Sequence, residues 1–540
     1  MASQGGRILI VEHGRLPLLT LAKAAARTLR EIVPADLDLA GVCLDLQPYE
    51  SKSVREFSQR LDALSRNDRN YWVGTLYTLM ISPEARKAQA AYFTPPYLAD
   101  AVIDMAVEHG FDLRRDDVLD PAAGGAAFLS LIAERMRAAG ARPRDIAYRL
   151  NGIEIDPCLA QISESLIGTH TDGFGERKIV RVADALHTDP LASYKLVIAN
   201  PPYGRITPQV LGGDDWRKVS HPGHVNKYAV FTEWCLRVAK PGGLVALVIP
   251  SSFRSGPLYD KMRAHIASQG QILTLGKLIS RDDVFVDVAQ DVSVLLVRKG
   301  EPHRPVLAAK FPSFTESGIV QPVPTGCLPA DPSKPWLAPS DLADKIGGAT
   351  LAEYGASAKA GYFVWNRERD KFCCADEPGA VPLIWAKNVR PGQPCVPTNR
   401  RGNGVDFVRV PEGSAALVKD HALVVQRTTN SSQNRRIVAA AVDKASVDPW
   451  KGFVSENHTI VVSGTDERQL NLLLMLLNTK AVDDRYRAVS GTATISVKLL
   501  RQLDLPRPIA FAAALKRVSD PERAALIAYE QGAGAISEAS

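Results

Sequence analysis

What this sequence has little of narrows the field first. Its seven cysteines (Cys43, Cys158, Cys235, Cys327, Cys373, Cys374 and Cys395) are odd in number and contain no Cys-x-x-Cys pair. That usage fits a reducing compartment and carries no metal-ligand signature, so neither a disulfide scaffold nor a zinc module is expected. No apolar run is long enough to span a bilayer and no secretory leader pattern is seen, which makes the cytoplasm the expected location and a membrane partner unexpected. Internal repeats and long low-complexity tracts are missing too, which sets aside solenoids and extended disorder. Charge of either sign is not in large excess: 65 Lys and Arg against 59 Asp and Glu leave a net +6. Such a balance permits a polyanionic partner without requiring one. What remains is an ordinary globular composition, 46% hydrophobic over 540 residues, enough for roughly two to four domains with full cores.

Within that chain, one stretch organises the others. Tyr194-Lys195-Leu196-Val197-Ile198-Ala199 runs into Asn200-Pro201-Pro202-Tyr203-Gly204. Leu196 to Ala199 read as a buried parallel strand. The two prolines cannot continue a ladder and hold the chain extended, placing Asn200 rigidly at the strand's carboxyl end. Open α/β sheets bind ligands at that end. The Asn200 side chain and the Pro201 carbonyl offer two acceptors, which suit an exocyclic amine with two N–H donors. Tyr203 offers a face on which the ring bearing that amine can stack.

Three further strand ends stand upstream. Asp117-Val118-Leu119-Asp120 leads into Pro121-Ala122-Ala123-Gly124-Gly125-Ala126-Ala127-Phe128 and then a helix. Small residues there let a ligand approach the backbone at a helix N-terminus. A second strand, Leu150 to Ile155, carries Glu154 at its end, an acceptor suited to two ribose hydroxyls. A third, Lys178 to Val182, leads to Ala183-Asp184. Before them Ala91-Tyr92-Phe93-Thr94-Pro95-Pro96 opens a helical pattern from Leu98 to Val107, with the prolines suited to its first turn. After them a loop from Arg205 to Val225 precedes a helix beginning at Asn226 and stopping at Pro241-Gly242-Gly243. Leu244 to Ile249 is a further strand. Asp291 to Arg298 alternates in a way that suits an antiparallel edge or hairpin partner.

These motifs in this order resemble the gamma-class, Taq-type DNA adenine-N6 methyltransferases that use S-adenosylmethionine. Asn-Pro-Pro-Tyr resembles their motif IV, Asp120 to Phe128 their motif I, Glu154 motif II, Asp184 motif III and the Thr94 stretch motif X. The resemblance departs at Ala123, Gly125 and Ala126, all still small. It implies a Rossmann-like α/β methyltransferase sheet with a helical N-terminal extension and a mixed α+β DNA target-recognition domain. It also implies that Thr94, Asp120, Ala122, Gly124, Glu154, Asp184 and Asn200 touch S-adenosylmethionine. Asn200, Pro201 and Tyr203 are then catalytic, and Phe231 covers the second face of a flipped adenine. No Pro-Cys motif is present for cytosine-C5 chemistry.

The remaining segments read less clearly. Residues 1–87 show helical spacing at Leu16 to Ile32, Ser53 to Leu64 and Tyr71 to Met80, as expected of a helical cap. Asp38 with Glu50-Ser51-Lys52 faintly resembles a nuclease pattern, and the cap reading is preferred. The catalytic domain is expected over 88–300, a proline-rich linker over 301–349, a recognition domain over 350–507 and, over 508–540, a helical stretch followed by a frayed Ala/Gly/Ser tail. From Val381 to Ala440, nine Lys and Arg (Lys387, Arg390, Arg400, Arg401, Arg409, Lys419, Arg427, Arg435, Arg436) face three acids. Such spacing suits a phosphate backbone as well as a solvated surface. Gln426 to Thr429, Gln433 to Val438, Glu456-Asn457-His458 and Asp483 to Pro506 resemble stretches of target-recognition domains, with Arg427, Arg435 and Arg436 the expected DNA contacts. The expected activity is sequence-specific methylation of adenine N6 in double-stranded DNA, as the modification enzyme of a restriction-modification system. That leaves room for a separately encoded endonuclease acting on the same site. A methyltransferase of RNA or protein glutamine is the alternative; a silent DNA-binding subunit fits poorly with an intact Asn200 and Tyr203. No motif spells out the DNA sequence recognised.

Overall fold

The computed structural model describes residues 15–34, 38–82, 93–173, 177–188, 193–256, 258–278, 291–315, 318–339, 348–399, 404–411, 413–428, 435–490 and 494–537. The chain divides into two compact units, one ending at Trp336 and the other beginning at Leu337. No described helix is long and apolar enough to cross a membrane.

The first unit is built on one sheet. Its strands are β1 (Val118–Asp120), β2 (Leu150–Glu154), β3 (Val180–Val182), β4 (Tyr194–Ala199), β5 (Ala239–Pro250), β6 (Gly270–Leu278) and β7 (Val292–Lys299). They lie in the order β3-β2-β1-β4-β5-β7-β6. The first five pair in parallel, with Val118 opposite both Leu150 and Leu196. β7 runs antiparallel to both β5 and β6. It is therefore an interior strand, buried from Val292 to Val297. The order turns back on itself between β1 and β4. Ligands of open α/β sheets bind at such a reversal, beyond the carboxyl ends of the strands.

One segment differs from its expected character, and the N-terminal one keeps it. The proline-rich stretch read as a linker extends the sheet. Ser313–Thr315 runs parallel to β6, Gly318–Ile319 pairs with Ser313–Thr315, and Ala308–Lys310 pairs with Thr325–Cys327. Prolines between these pieces keep each strand short without preventing edge pairing. The N-terminal segment is helical, at Arg15–Ile32, Leu39–Leu44, Lys52–Asp62 and Arg66–Met80. Its buried residues, including Leu29, Phe57 and Leu76, form one cluster with Leu159, Ile162 and Leu166 of helix Pro157–Gly168. The residues that resemble a nuclease pattern serve as local ties. Asp38 accepts from the Ala40 N–H and from Gln161, Ser51 caps the helix from Lys52, and Lys52 pairs with Glu56.

The second unit holds two four-stranded sheets. Ser357–Ala360, Thr459–Ser463, Leu423–Gln426 and Ala439–Ala441 make an antiparallel one. Phe372–Cys373, Phe407–Arg409, Ala380–Ile384 and Val454–Ser455 make the other. Gly361 is required where the backbones meet, since a Cβ there would lie 1.9 Å from the Glu456 carbonyl. The segment expected to hold a helical stretch and a frayed tail forms helices Pro508–Arg517 and Pro521–Ser537, the second reaching into the expected tail. Phe511, Ala514, Ala524, Ala525 and Ala528 are buried in the unit's main core. Small alanines let these helices approach closely, and the Tyr529 hydroxyl donates to the Asp504 carbonyl at 2.9 Å. Phe511→Ala should therefore destabilise the second unit by about 3–5 kcal/mol. A denaturation midpoint equal to that of the unmodified protein would show instead that this segment packs loosely.

Candidate active site

The strand ends that face the reversal carry the polar residues singled out by sequence. β4 is fully buried from Leu196 to Ala199 and delivers Asn200 at its end. The Asn200 side-chain oxygen Oδ1 accepts from the Tyr203 hydroxyl at 2.9 Å, and that hydroxyl lies 3.2 Å from the Val248 backbone carbonyl of β5. The prolines between them bring residue 203 back toward the strand, closing a short ring of covalent and hydrogen bonds around the amide. Gly204, at φ +100°, turns the chain away, and its carbonyl accepts from the Lys227 N–H at 2.8 Å.

Tyr203 is not the free loop residue its position suggests. It is 6% exposed, edge-on to Tyr228 with ring centroids 6.3 Å apart. Tyr228 in turn stacks on Tyr259 and bonds Ser252 through its hydroxyl. Phe231 is likewise 6% exposed, because helix Lys227–Val238 is buried almost all round. Tyr203 and Phe231, the two rings expected to sandwich a base, are thus both buried. Tyr228 had gone unremarked, although it lies three residues before Phe231 and so on the same helical face.

The loop after β1 is shaped by its small residues. Gly124 and Ala126 both take left-handed backbone angles, φ +52° and +58°. Ala126 does so without being glycine, at a strain of order 1 kcal/mol. A Cβ on Gly125 would come within 2.5 Å of the Phe93 ring, and one on Gly74 within 2.9 Å of it. Phe93 thereby presses the loop from the helix Arg66–Met80, while neighbouring Thr94 is 3% exposed. Ala91 and Tyr92 lie outside the described residues. Glu154 holds the loop from the other side: one carboxylate oxygen accepts from the Gly124 N–H at 2.8 Å, the other from the Asp156 N–H at 2.9 Å. Burial raises the Glu154 pKa, partly offset by those N–H donors. Asp120, 1% exposed, accepts from the Ala122 N–H at 3.0 Å. Burial pushes its pKa up to about 8, and the charge of Glu154 adds to the rise. At the end of β3, Asp184 accepts from the Leu186 N–H and pairs with His187 at 2.7 Å. That hydrogen bond raises the His187 pKa. Ile155, next to Glu154, is 59% exposed, an apolar surface just beyond the end of β2.

The arginines expected at DNA are placed differently. Arg436 is 2% exposed, and its backbone N–H donates to Asp483 at 2.7 Å. This corrects the expectation for that residue, because a guanidinium so enclosed cannot reach a phosphate. Arg435 is partly buried and donates to the Asn478 carbonyl. Arg427 is partly exposed, its side chain donating to the Asn457 carbonyl at 3.1 Å. Arg400, Arg401, residues 429–434 and residues 491–493 lie outside the described residues.

A sheet ordered 3-2-1-4-5-7-6, with a small-residue loop after β1, has the Rossmann-like methyltransferase fold expected from the sequence. Comparisons with known proteins agree. Residues 70–311 match the family model described as N-6 DNA Methylase. The chain is 25% identical over 333 residues to Type II methyltransferase M.BsuBI of Bacillus subtilis, covering 57% of this chain and 64% of that protein. It is 24% identical over 412 residues to Type II methyltransferase M.TthHB8I of Thermus thermophilus, covering 72% of this chain and 83% of that protein. The chain therefore spans just under two thirds of the Bacillus relative's length. Its fold is similar to that of the Type IIL restriction-modification enzyme MmeI solved with DNA, at a TM-score of 0.50 and 13% identity, covering 97% of this chain and 92% of that one.

Two measurements follow from this geometry. Phe231→Ala should cost about 3–5 kcal/mol of stability, as for a core aromatic. A variant that folds as stably as wild type yet fails to act on substrate would favour a role at a base over one in the core. Asp120 has a folded pKa above its unfolded value, so its neutral form contributes stability that is complete below the ordinary carboxylate range. That contribution is lost as pH rises through about 8. Asp120→Asn removes the titration. Relative to wild type, the variant should gain up to about 1.4 kcal/mol per pH unit between about pH 5 and about pH 8. Parallel stability curves in urea would show that Asp120 does not titrate in this range.

Proposed function

We propose that this chain is an S-adenosylmethionine-dependent DNA adenine-N6 methyltransferase of a type II restriction-modification system. The observation that carries the reading is the amide of Asn200, held by Tyr203 at the strand end nearest the loop after β1. Its supports are the family match over residues 70–311 and the two type II relatives.

The residues present fit the cofactor. The small residues let the loop turn tightly against Phe93 and lead into the N-terminus of helix Ala127–Ala138, where a ligand can approach backbone N–H groups. Glu154 and Asp184 are acceptors for hydroxyl and amino donors, and exposed Ile155 offers an apolar face to an adenine ring. Thr94, Asp120 and Ala122 would complete the holding set, with Asp120 and Ala122 acting through the loop backbone. Once bound, S-adenosylmethionine supplies a methyl group on a positively charged sulfur.

The chain's own residues then do the rest. The target base must leave the duplex, because a stacked amine cannot be lined up with the methyl group. The Asn200 carbonyl oxygen and the Pro201 carbonyl accept the two amino hydrogens. This turns the nitrogen lone pair out of conjugation with the ring and stabilises the positive charge that grows on nitrogen. Tyr203 keeps the Asn200 oxygen aimed, since its hydroxyl occupies one lone pair and leaves the other available. No covalent bond to the protein is needed.

The second unit is proposed to bind the duplex. Exposed Lys387, Arg390, Arg409 and Lys419 suit phosphates, and Arg427 is the retained candidate for a base edge. The test is incubation with labelled S-adenosylmethionine and plasmid DNA, RNA or protein. Label should enter DNA alone; label in RNA or glutamine would replace this reading. Asn200→Ala should cut the rate about 10²- to 10³-fold while melting temperature and cofactor affinity stay unchanged. A near wild-type rate would sink the assignment of Asn200.

A further inference from the structure

The N-terminal helix Arg66–Met80 meets the proposed cofactor site through a buried polar chain. The Tyr77 hydroxyl, on a residue 3% exposed, donates to one carboxylate oxygen of Asp156 at 2.8 Å. The other Asp156 oxygen accepts from the Cys158 and Leu159 N–H groups, capping helix Pro157–Gly168. The Asp156 backbone N–H donates to Glu154 at 2.9 Å, and Glu154 accepts from Gly124 at 2.8 Å. Four residues thus connect the first helical segment to the loop after β1.

We infer that Tyr77 is a positioning residue for cofactor binding, acting through Asp156 on the Glu154 carboxylate. Asp156 and Glu154 are both 8% exposed and two residues apart, so their charges repel in a medium that screens poorly. The helix N-terminus and the Tyr77 hydroxyl together offset the charge on Asp156. Without the hydroxyl, a buried carboxylate would lose one of its donors, and the turn from 154 to 158 would relax. That turn sets where Glu154 points. Burial and the bond to Asp156 both raise the Tyr77 pKa, so the hydroxyl remains a donor at neutral pH. The same helix presses Phe93 onto Gly125, a second, apolar contact with the same loop. The N-terminal segment is in this account part of the cofactor site.

The inference rests on the reading of Glu154 as a cofactor acceptor, and the experiment separates the two. Binding of S-adenosylhomocysteine to the full chain is measured by calorimetry, alongside melting temperature and DNA affinity. Tyr77→Phe should weaken binding about tenfold with DNA affinity unchanged. Asp156→Asn, which keeps an N-cap acceptor, should act in the same direction. Asn70→Ala cuts a different bond of the same helix, to Ser130. It should lower the melting temperature and leave ligand affinity within about twofold, whereas a merely structural role would make it equal to Tyr77→Phe. Unchanged affinity in Tyr77→Phe, or equal losses in Tyr77→Phe and Asn70→Ala, overturns the inference. Glu154→Gln that binds like wild type overturns the reading of the site itself.

Discussion

Parallel pairing of β1 with β2 and β4 is the constraint on which the rest of the site depends. Because Val118 is level with both Leu150 and Leu196, the three strands end side by side. Their last residues are then Asp120, Glu154 and the approach to Asn200. Side chains packed on both faces fix this register, since a slip of one residue would exchange the faces on which each strand's side chains pack. The polar residues are thereby gathered at one rim without any of them having to stabilise the sheet.

Gathering acids there carries a cost, and much of the local structure answers it. Asp120, Glu154 and Asp156 are each nearly enclosed. Each is met by backbone N–H groups: Ala122 for Asp120, Gly124 and Asp156 for Glu154, Cys158 and Leu159 for Asp156. Buried carboxylates need such donors. The donors in turn belong to the loop and turn that shape the site. The same groups thus serve for stability and for the positioning of small-residue backbone. The pKa of Asp120, raised to about 8, marks where that compensation is least complete.

In the second unit the basic residues divide by burial. Arg436, enclosed, and Arg435, tied to Asn478, support the fold around Asp483 and the helices near it. Lys387, Arg390, Arg409 and Lys419 remain exposed. Sequence alone counts such residues equally, although only the exposed ones can meet a partner without unfolding something.

The sequence by itself determined what is local. Asn200-Pro201-Pro202-Tyr203 after an apolar run, the small residues after Asp120, Glu154 at the end of its strand and the periodic N-terminal helices are all legible, because each is encoded within a few residues. Tertiary structure alone decided burial and long-range pairing. It enclosed Tyr203 and Phe231, because helix Lys227–Val238 is covered on nearly every side. It drew Ser313–Thr315 onto β6, although the prolines around it read as a linker. It packed Phe511 and Tyr529 of the C-terminal helical stretch into a core with residues far away in the chain. It also joined Tyr77 to Asp156 across 79 residues of chain. No local pattern announces such a bond, because its energy depends on the removal of both groups from water, which only the folded chain achieves.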